Sequence, residues 1–169
     1  MSALVTFEQY VEMPEPAEFD TELRFGQVVR LPWPTFRHVD SRHRIWRLLE
    51  SRLGPAWKVL MGMPYRALPE FESRNADVGV VSTKRWGQAL KAASLAGSPE
   101  IVIEILSPRS TPETSALCLG TGAMQFWAVD EQNSSVTVST ASGTRVFTTG
   151  ERMPLGIADA SLAVDEIFA

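Results

Sequence analysis

Short apolar runs with strand alternation and longer amphipathic stretches follow one another along the whole chain. Ile45, Leu48 and Leu49 recur at helical spacing, and Gly54 with Pro55 ends that helix. The valines of SSVTVSTASGTRVFTTG alternate with polar residues, which is typical of a hairpin. The complete pattern predicts helices over 6–13, 38–53, 83–95, 112–120 and the tail SLAVDEIFA, strands over 57–63, 76–81, 100–106 and MQFWAVD, and hairpins in TELRFGQVVRL and 134–150.

Strands and helices that alternate at such short range indicate an α/β or α+β fold with a mixed central sheet. The hairpin in TELRFGQVVRL, alternatively a bent strand pair, is centred on Gly26, and Thr6 lies three positions before Gln9, as in a capping box. No internal repeat and no long Pro, Gly or Ser linker divides the sequence. We therefore expect one domain over residues 1–169.

The segment GSPEIVIEILSP carries a glutamate inside a run of aliphatic side chains. Strand alternation predicts three isoleucines on one face, at positions 101, 103 and 105, and Val102, Glu104 and Leu106 on the other. So apolar a strand is normally covered on both faces, and an unpaired carboxylate there costs several kcal/mol, roughly. Glu104 therefore needs a compensating partner, which is either a metal ion or an ion pair with an arginine.

A second acid lies at the start of another apolar strand. Asp77 in RNADVGVVS immediately precedes Val78. If the strands of Asp77 and Glu104 are neighbours in one sheet, the two carboxylates converge on one point, which is how a hard divalent cation such as Mg²⁺ is held. The cation would then offset the desolvation of both acids. The alternative for Asp77 is a hydrogen bond at a turn or at the start of the strand.

Positive charge is concentrated in one part of a chain whose net charge is −4. Between Arg24 and Lys91 there are 13 Lys or Arg against 5 Asp or Glu. Such a segment suits contact with an anion such as DNA, and Arg37, Arg44 and Arg47 are candidates for phosphate contacts. A solvated helix face is the equally weighted alternative.

Composition excludes several other classes of protein. No stretch approaches the ~20 apolar residues of a membrane span, and the N-terminus does not have the pattern of a signal peptide, so we expect a cytoplasmic location without membrane partners. The single cysteine, Cys118, can form no internal disulfide and no thiolate zinc site, and we expect it to be buried. His43 is expected at the surface. No phosphate-binding glycine loop or nucleophile elbow is present.

Several motifs together resemble one known family. FEQYVEMP, then ELRFGQVV, then Pro34-Thr35 ahead of His38 are similar to the opening of the bacterial restriction endonuclease family of the Uma-two type, within the PD-(D/E)XK nuclease superfamily. NADVGVV, VIEILSPRS and QFWAVD resemble its central motifs, and LAVDEIFA resembles its closing helix. The resemblance covers nearly the whole chain. It implies a restriction-endonuclease-like mixed sheet flanked by helices, with additional β-hairpins.

The resemblance also implies a Mg²⁺- or Mn²⁺-dependent phosphodiesterase site. Asp77 and Glu104 would be direct metal ligands, and the backbone carbonyl of Ile105 could be a further one. Glu22 would hold metal-bound water, and His38 would relay a proton or contact phosphate. DNA is the implied substrate, and a homodimer is a further expectation because restriction-like folds often act as dimers to cut two strands.

One catalytic group of the superfamily is missing. The usual lysine two residues after the glutamate is replaced by Leu106, and in the resembled family the lysine comes instead from the following helix, where this chain has Thr114 or Ser115. Arg109 is the only cation between Pro108 and Gln125. The loss of one electrostatic contact typically slows catalysis by about 10²- to 10³-fold. Two interpretations stay open: a weak or atypical metal-dependent nuclease, and a degenerate domain that binds nucleic acid or a partner protein without cutting.

Overall fold

The computed structural model describes residues 3–107 and 112–169, which form five helices and ten strands within those ranges. In chain order they are α1 (Phe7–Glu12), β1 (Asp20–Arg24), β2 (Gln27–Leu31), α2 (Phe36–Arg52), β3 (Trp57–Tyr65), β4 (Arg74–Ser82), α3 (Thr83–Ala92), β5 (Ile101–Ile105), α4 (Glu113–Gly120), β6 (Gln125–Asp130), β7 (Ser135–Thr140), β8 (Gly143–Thr148), β9 (Arg152–Pro154), β10 (Ser161–Ala163) and α5 (Val164–Phe168). None of these helices is long and apolar enough to cross a membrane.

The centre of the fold is a six-stranded mixed sheet with the order β3-β4-β5-β6-β7-β8. All neighbouring strands are antiparallel except β5 and β6, which are parallel and are connected through α4. A parallel pair requires such a crossover, whereas the antiparallel pairs are joined by short turns or by a helix. Two antiparallel pairs, β1 with β2 and β9 with β10, lie outside the sheet. The predicted α+β class with a mixed central sheet is confirmed.

Each face of the sheet is covered by its own hydrophobic core. The first core contains Ile45 and Leu49 of α2 together with the isoleucines of β5 and residues of α5, and the second contains Ala89 of α3, Cys118 of α4 and Val102. The isoleucines of β5 and Val102 thus lie in opposite cores, as the alternation of that strand predicts. The central strands β4, β5 and β6 are buried along most of their length, and polar groups on them are therefore partly desolvated.

Local sequence signals position the N-terminal elements. Thr6 caps α1, and its side chain and that of Gln9 form the predicted capping box. The β1–β2 hairpin turns at Phe25 and Gly26, which have positive φ angles of 49° and 74°. A side chain at Gly26 would also approach the Cβ atom of Leu4 to 2.8 Å, so glycine suits this turn for two reasons.

Several elements differ from the sequence predictions. Helix α2 begins at Phe36 rather than at 38, because the side chain of Thr35 caps it by accepting a hydrogen bond from the His38 backbone N–H. Helix α3 ends at Ala92 rather than at 95, because Ala93 adopts a left-handed conformation with φ of 58°. The tail SLAVDEIFA is helical only over Val164–Phe168, because its first three residues form β10 and pair with β9. The three-residue strands β9 and β10 were not predicted, because they are too short to show alternation.

Candidate active site

One cleft collects the four acids and bases that the sequence singled out. Its lining includes Glu22 of β1, His38 of α2, Asp77 of β4 and Glu104 of β5. Residues of α4, β6 and β7 complete the wall. We call this the acidic cleft. Strands β4 and β5 are antiparallel neighbours, and Val78 pairs with Ile103. Asp77 precedes Val78 and Glu104 follows Ile103, so the two acids lie next to this pair on adjacent strands. The adjacency on which their convergence depends is therefore present.

Asp77 lies inside β4, three residues after the strand begins at Arg74, and not at the start of the strand as the sequence predicted. Two hydrogen bonds hold its carboxylate. Its Oδ1 atom lies 2.8 Å from Nε2 of His38, and its Oδ2 atom accepts a hydrogen bond of 2.8 Å from the backbone N–H of Ile105. The Asp77 side chain is 15% exposed. Each carboxylate oxygen can accept a second interaction, so the fixed carboxylate retains lone pairs for a ligand.

Glu104 is partly buried, and no described residue forms an ion pair with its carboxylate. In the described part of the chain, its carboxylate accepts no hydrogen bond and forms no ion pair, so the alternative of a salt bridge with an arginine is not realised there. Burial raises the pKa of Glu104 well above its usual value of 4.5, and the negative charges of Asp77 and Glu22 raise it further. The positive charges of Arg24 and Arg74 lower the pKa of Glu104 but do not offset these effects.

His38, in the first turn of α2, lines the cleft. The hydrogen bond to Asp77 raises the pKa of the imidazole above 6.5, while burial and the positive charge of Arg42 oppose this effect. Its side chain is 20% exposed. His38 therefore links the helix to the aspartate and remains accessible from the cleft.

Glu22 is almost completely buried, at 3% exposure, and both of its oxygens are engaged. Oε1 accepts a hydrogen bond of 2.9 Å from the backbone N–H of Asn75, and Oε2 accepts one of 2.8 Å from Nε of Arg24. These contacts attach β1 to β4 and fix a third negative charge near Glu104.

The donor set fits Mg²⁺ or Mn²⁺ in charge and in kind. Within residues 3–107 and 112–169, no group of three or more His, Cys, Asp or Glu side chains is arranged to hold a metal ion. Mg²⁺, however, usually keeps several waters and takes only one or two carboxylates plus substrate phosphate. Asp77 and Glu104 supply two carboxylates. A bound cation would offset both the desolvation of Glu104 and its repulsion by neighbouring negative charges.

The position expected for the missing lysine is occupied by a buried hydroxyl. Thr114 is 8% exposed, and its Oγ1 atom accepts a hydrogen bond of 3.2 Å from Nη1 of Arg74. Arg74 is itself 3% exposed and forms a two-pronged ion pair with Glu72, through Nε at 2.5 Å and Nη2 at 3.1 Å. Ser115 instead donates to the backbone carbonyl of Pro112. Arg109 lies outside the described residues.

The three arginines proposed for DNA contact do not line the acidic cleft. Arg37 contacts Glu131, and Arg44 pairs with Asp40 and donates to the backbone carbonyl of Ile167. Arg47 is exposed. A fourth arginine of the same helix, Arg42, does line the cleft.

Sequence reasoning missed Arg42, although one signal was available. It follows His38 by four positions, and residues four apart lie on the same face of a helix. The count of positive charges along the segment took no account of which helix face each arginine occupies.

A mixed sheet flanked by helices, with carboxylates carried by two adjacent central strands, defines a restriction-endonuclease-like α+β fold. The family model Uma2, described as "Putative restriction endonuclease", matches residues 7–164, and the chain belongs to this family. A crystal structure described as "a putative nuclease belonging to DUF820", from Anabaena variabilis, has a similar fold. Its TM-score is 0.81, with 20% sequence identity over 97% of each chain. No curated protein matches the sequence.

Proposed function

We propose that this protein hydrolyses DNA phosphodiester bonds with the help of Mg²⁺ or Mn²⁺ held by Asp77 and Glu104. The observation that carries the proposal is the environment of the Glu104 carboxylate. Its carboxylate is partly buried, has no hydrogen-bonding or ionic partner among the described residues, and faces the charges of Asp77 and Glu22. Such a carboxylate is unfavourable by itself, and a cation bound in the accessible cleft would compensate its charge.

The residues around the metal position would each have a separate task. A bound divalent ion polarises the phosphoryl group and lowers the pKa of the attacking water. His38 and the backbone N–H of Ile105 hold the Asp77 carboxylate in one orientation. Glu22, fixed by Arg24 and by the backbone of Asn75, would accept a hydrogen bond from the water. His38 would also carry a proton or contact phosphate.

DNA would reach the cleft along the basic segment from residue 24 to residue 91. The family description supports DNA as the substrate, and the exposed Arg37 and Arg47 of α2 would contact backbone phosphates. Arg44 would add to the same positive surface beside Asp40. Contacts of this kind position the duplex without reading its sequence. A homodimer that presents two clefts to two strands stays a prediction.

A second candidate function is binding without cleavage. It is favoured by Thr114, which stands where the lysine is expected and is buried against Arg74. Without a cation at the phosphate, a domain of this fold would still bind nucleic acid through its basic helix.

A cleavage assay separates the two candidates. Plasmid and single-stranded DNA are incubated with Mg²⁺ or Mn²⁺ and wild-type protein, Glu104→Gln, or the matched control Glu50→Gln, which changes an exposed glutamate on α2. We expect metal-dependent cleavage by wild type and the control, and a loss of at least about 10²-fold in Glu104→Gln. If wild type is as inert as Glu104→Gln but still binds DNA, the binding function replaces the nuclease.

A further inference from the structure

Among the described residues, three arginines line the acidic cleft, and two of them form ion pairs with carboxylates. Arg24 contacts Glu22 through Nε and Nη2, each at 2.8 Å. Arg74 is paired with Glu72 and bonded to Thr114. The positive charge of each is largely cancelled by its partner, so neither has its fork free to receive an anion from the cleft.

Arg42 differs from both of them. Among residues 3–107 and 112–169 it has no hydrogen-bonding or ion-pair partner, and its Nε atom is buried without an acceptor. A guanidinium carries five N–H donors, and a buried donor that lacks an acceptor is unfavourable in a folded protein. The two terminal Nη groups of Arg42 likewise have no acceptor among the described residues, and a ligand that brings oxygen atoms into the cleft would supply acceptors to them.

The position of Arg42 relative to the acids defines where that ligand lies. Arg42 follows His38 by one helical turn on α2, and its charge is close enough to lower the pKa of His38. His38 in turn is bonded to Asp77. The guanidinium thus borders the same space as the two proposed metal ligands, on the side of α2.

The chemistry of the site limits the ligand to an anion that also tolerates nearby carboxylates. A phosphodiester meets this requirement, because one oxygen can face a metal ion at Asp77 and Glu104 while another accepts from the planar fork of an arginine. A free carboxylate or phosphate could occupy the fork as well, but only a nucleic-acid strand would also contact the basic surface of α2.

We propose that Arg42 binds a DNA backbone phosphate in the acidic cleft and supplies the positive charge that the missing lysine would have provided. This inference rests on the proposed nuclease function for its catalytic consequence. Arg42 neutralises charge on the phosphoryl group and fixes its orientation. It does not serve as a base, because a guanidinium stays protonated in proteins. If Arg42 on α2 supplies this charge, no lysine is needed on α4. Position 114 can then be a threonine that contacts Arg74 while the phosphate site is kept.

The test compares Arg42→Met and Arg42→Lys with Arg145→Met, which removes an exposed arginine of β8 that pairs with Glu151. We expect Arg42→Met to lower kcat for DNA cleavage by about 10²- to 10³-fold, with Arg42→Lys intermediate and Arg145→Met close to wild type. Since Arg42 has no partner among the described residues, its removal should not lower the melting temperature. Cleavage by Arg42→Met within about threefold of wild type would overturn the proposal.

A binding measurement keeps the inference separate from the nuclease function. A short DNA oligonucleotide is titrated without divalent metal into ¹⁵N-labelled wild-type protein, and the Arg42 Nε–H signal is assigned by its absence in Arg42→Lys. We expect the oligonucleotide to shift this signal and to bind Arg42→Met more weakly than Arg145→Met. If wild type never cleaves DNA but the signal shifts, the nuclease proposal fails and the phosphate site stands. An unmoved signal with equal affinities contradicts the phosphate site itself.

Discussion

At the scale of single residues, the buried charge of Glu104 is the main unfavourable interaction in the site. It lies between Ile103 and Ile105, which are buried in the first core, while its own carboxylate opens to the cleft beside two other acids. Its raised pKa means that the folded protein holds the proton more tightly than the unfolded chain does. Without a cation, folding is therefore opposed at every pH where the unfolded carboxyl is ionised.

We predict that Glu104→Gln stabilises the metal-free protein in a pH-dependent way. Below the usual carboxyl pKa of 4.5, both states of the wild type are protonated and the free energies of unfolding of the two proteins nearly coincide. As pH rises from there through the raised pKa of the folded state, the wild type loses stability and the variant does not. At pH 8 we expect the variant to be more stable by about 1–3 kcal/mol.

Urea denaturation of both proteins between about pH 4 and pH 9 measures this difference. Addition of Mg²⁺ should narrow it, because only the wild type binds the ion through that carboxylate. If the free energies of unfolding of wild type and Glu104→Gln differ by the same amount at every pH, the charge of Glu104 does not destabilise the folded protein.

At the scale of elements, a buried ion pair joins three separate parts of the chain. Glu72 accepts a hydrogen bond of 2.8 Å from the backbone N–H of Phe25 in the β1–β2 turn, and it also holds Arg74 at the start of β4. Arg74 reaches Thr114 on α4. The pair therefore anchors the hairpin that carries Glu22 to the strand that carries Asp77.

This arrangement predicts that a lysine restored at position 114 is harmful by itself. In Thr114→Lys, an ammonium group would lie beside the buried Arg74 guanidinium, and we expect a loss of about 3–5 kcal/mol, the range for an uncompensated buried charge. The double variant Thr114→Lys/Arg74→Met leaves one cation to pair with Glu72 and should recover most of that loss. Urea denaturation of the two variants measures the difference. A Thr114→Lys protein as stable as wild type would contradict the described contact.

At the scale of the whole molecule, negative charge is gathered in the cleft while positive charge is spread over the helix beside it. The chain has a net charge of −4, yet the segment from Arg24 to Lys91 is strongly basic. On α2, Arg37 and Arg47 are exposed and Arg44 is partly buried against Asp40. Such a surface would attract DNA while a metal ion neutralises the acids.

We predict that DNA affinity falls steeply with salt and that the change Arg37→Ala/Arg47→Ala reduces the slope of log K against log salt by about 2. Each phosphate contact releases about 0.9 counterion, so the slope counts the contacts. Arg145→Ala, far along the chain on β8, should leave the slope unchanged. Fluorescence anisotropy with labelled duplex DNA between about 50 and 200 mM salt provides the measurement. An unchanged slope in the double variant would indicate a merely solvated helix face.

The sequence predicted the central sheet and its two acids because their signals are local. Acids inside or beside apolar runs are unusual, and this singled out Asp77 and Glu104 before their strands were known to pair. The same reasoning could not find the Glu72–Arg74 pair, since its burial depends on how the hairpin docks against β4. Arg42 was missed because a charge count ignores helix faces, and β9 and β10 because three residues carry no periodicity.

The most direct test of the central claim is anomalous diffraction from a crystal soaked in Mn²⁺. If the acidic cleft is a metal site, an anomalous peak should lie within about 2.0–2.6 Å of oxygens from both Asp77 and Glu104, and it should vanish in Glu104→Gln. A Mn²⁺ peak elsewhere, or none at saturating metal with both carboxylates unoccupied, would contradict the proposed metal-dependent nuclease.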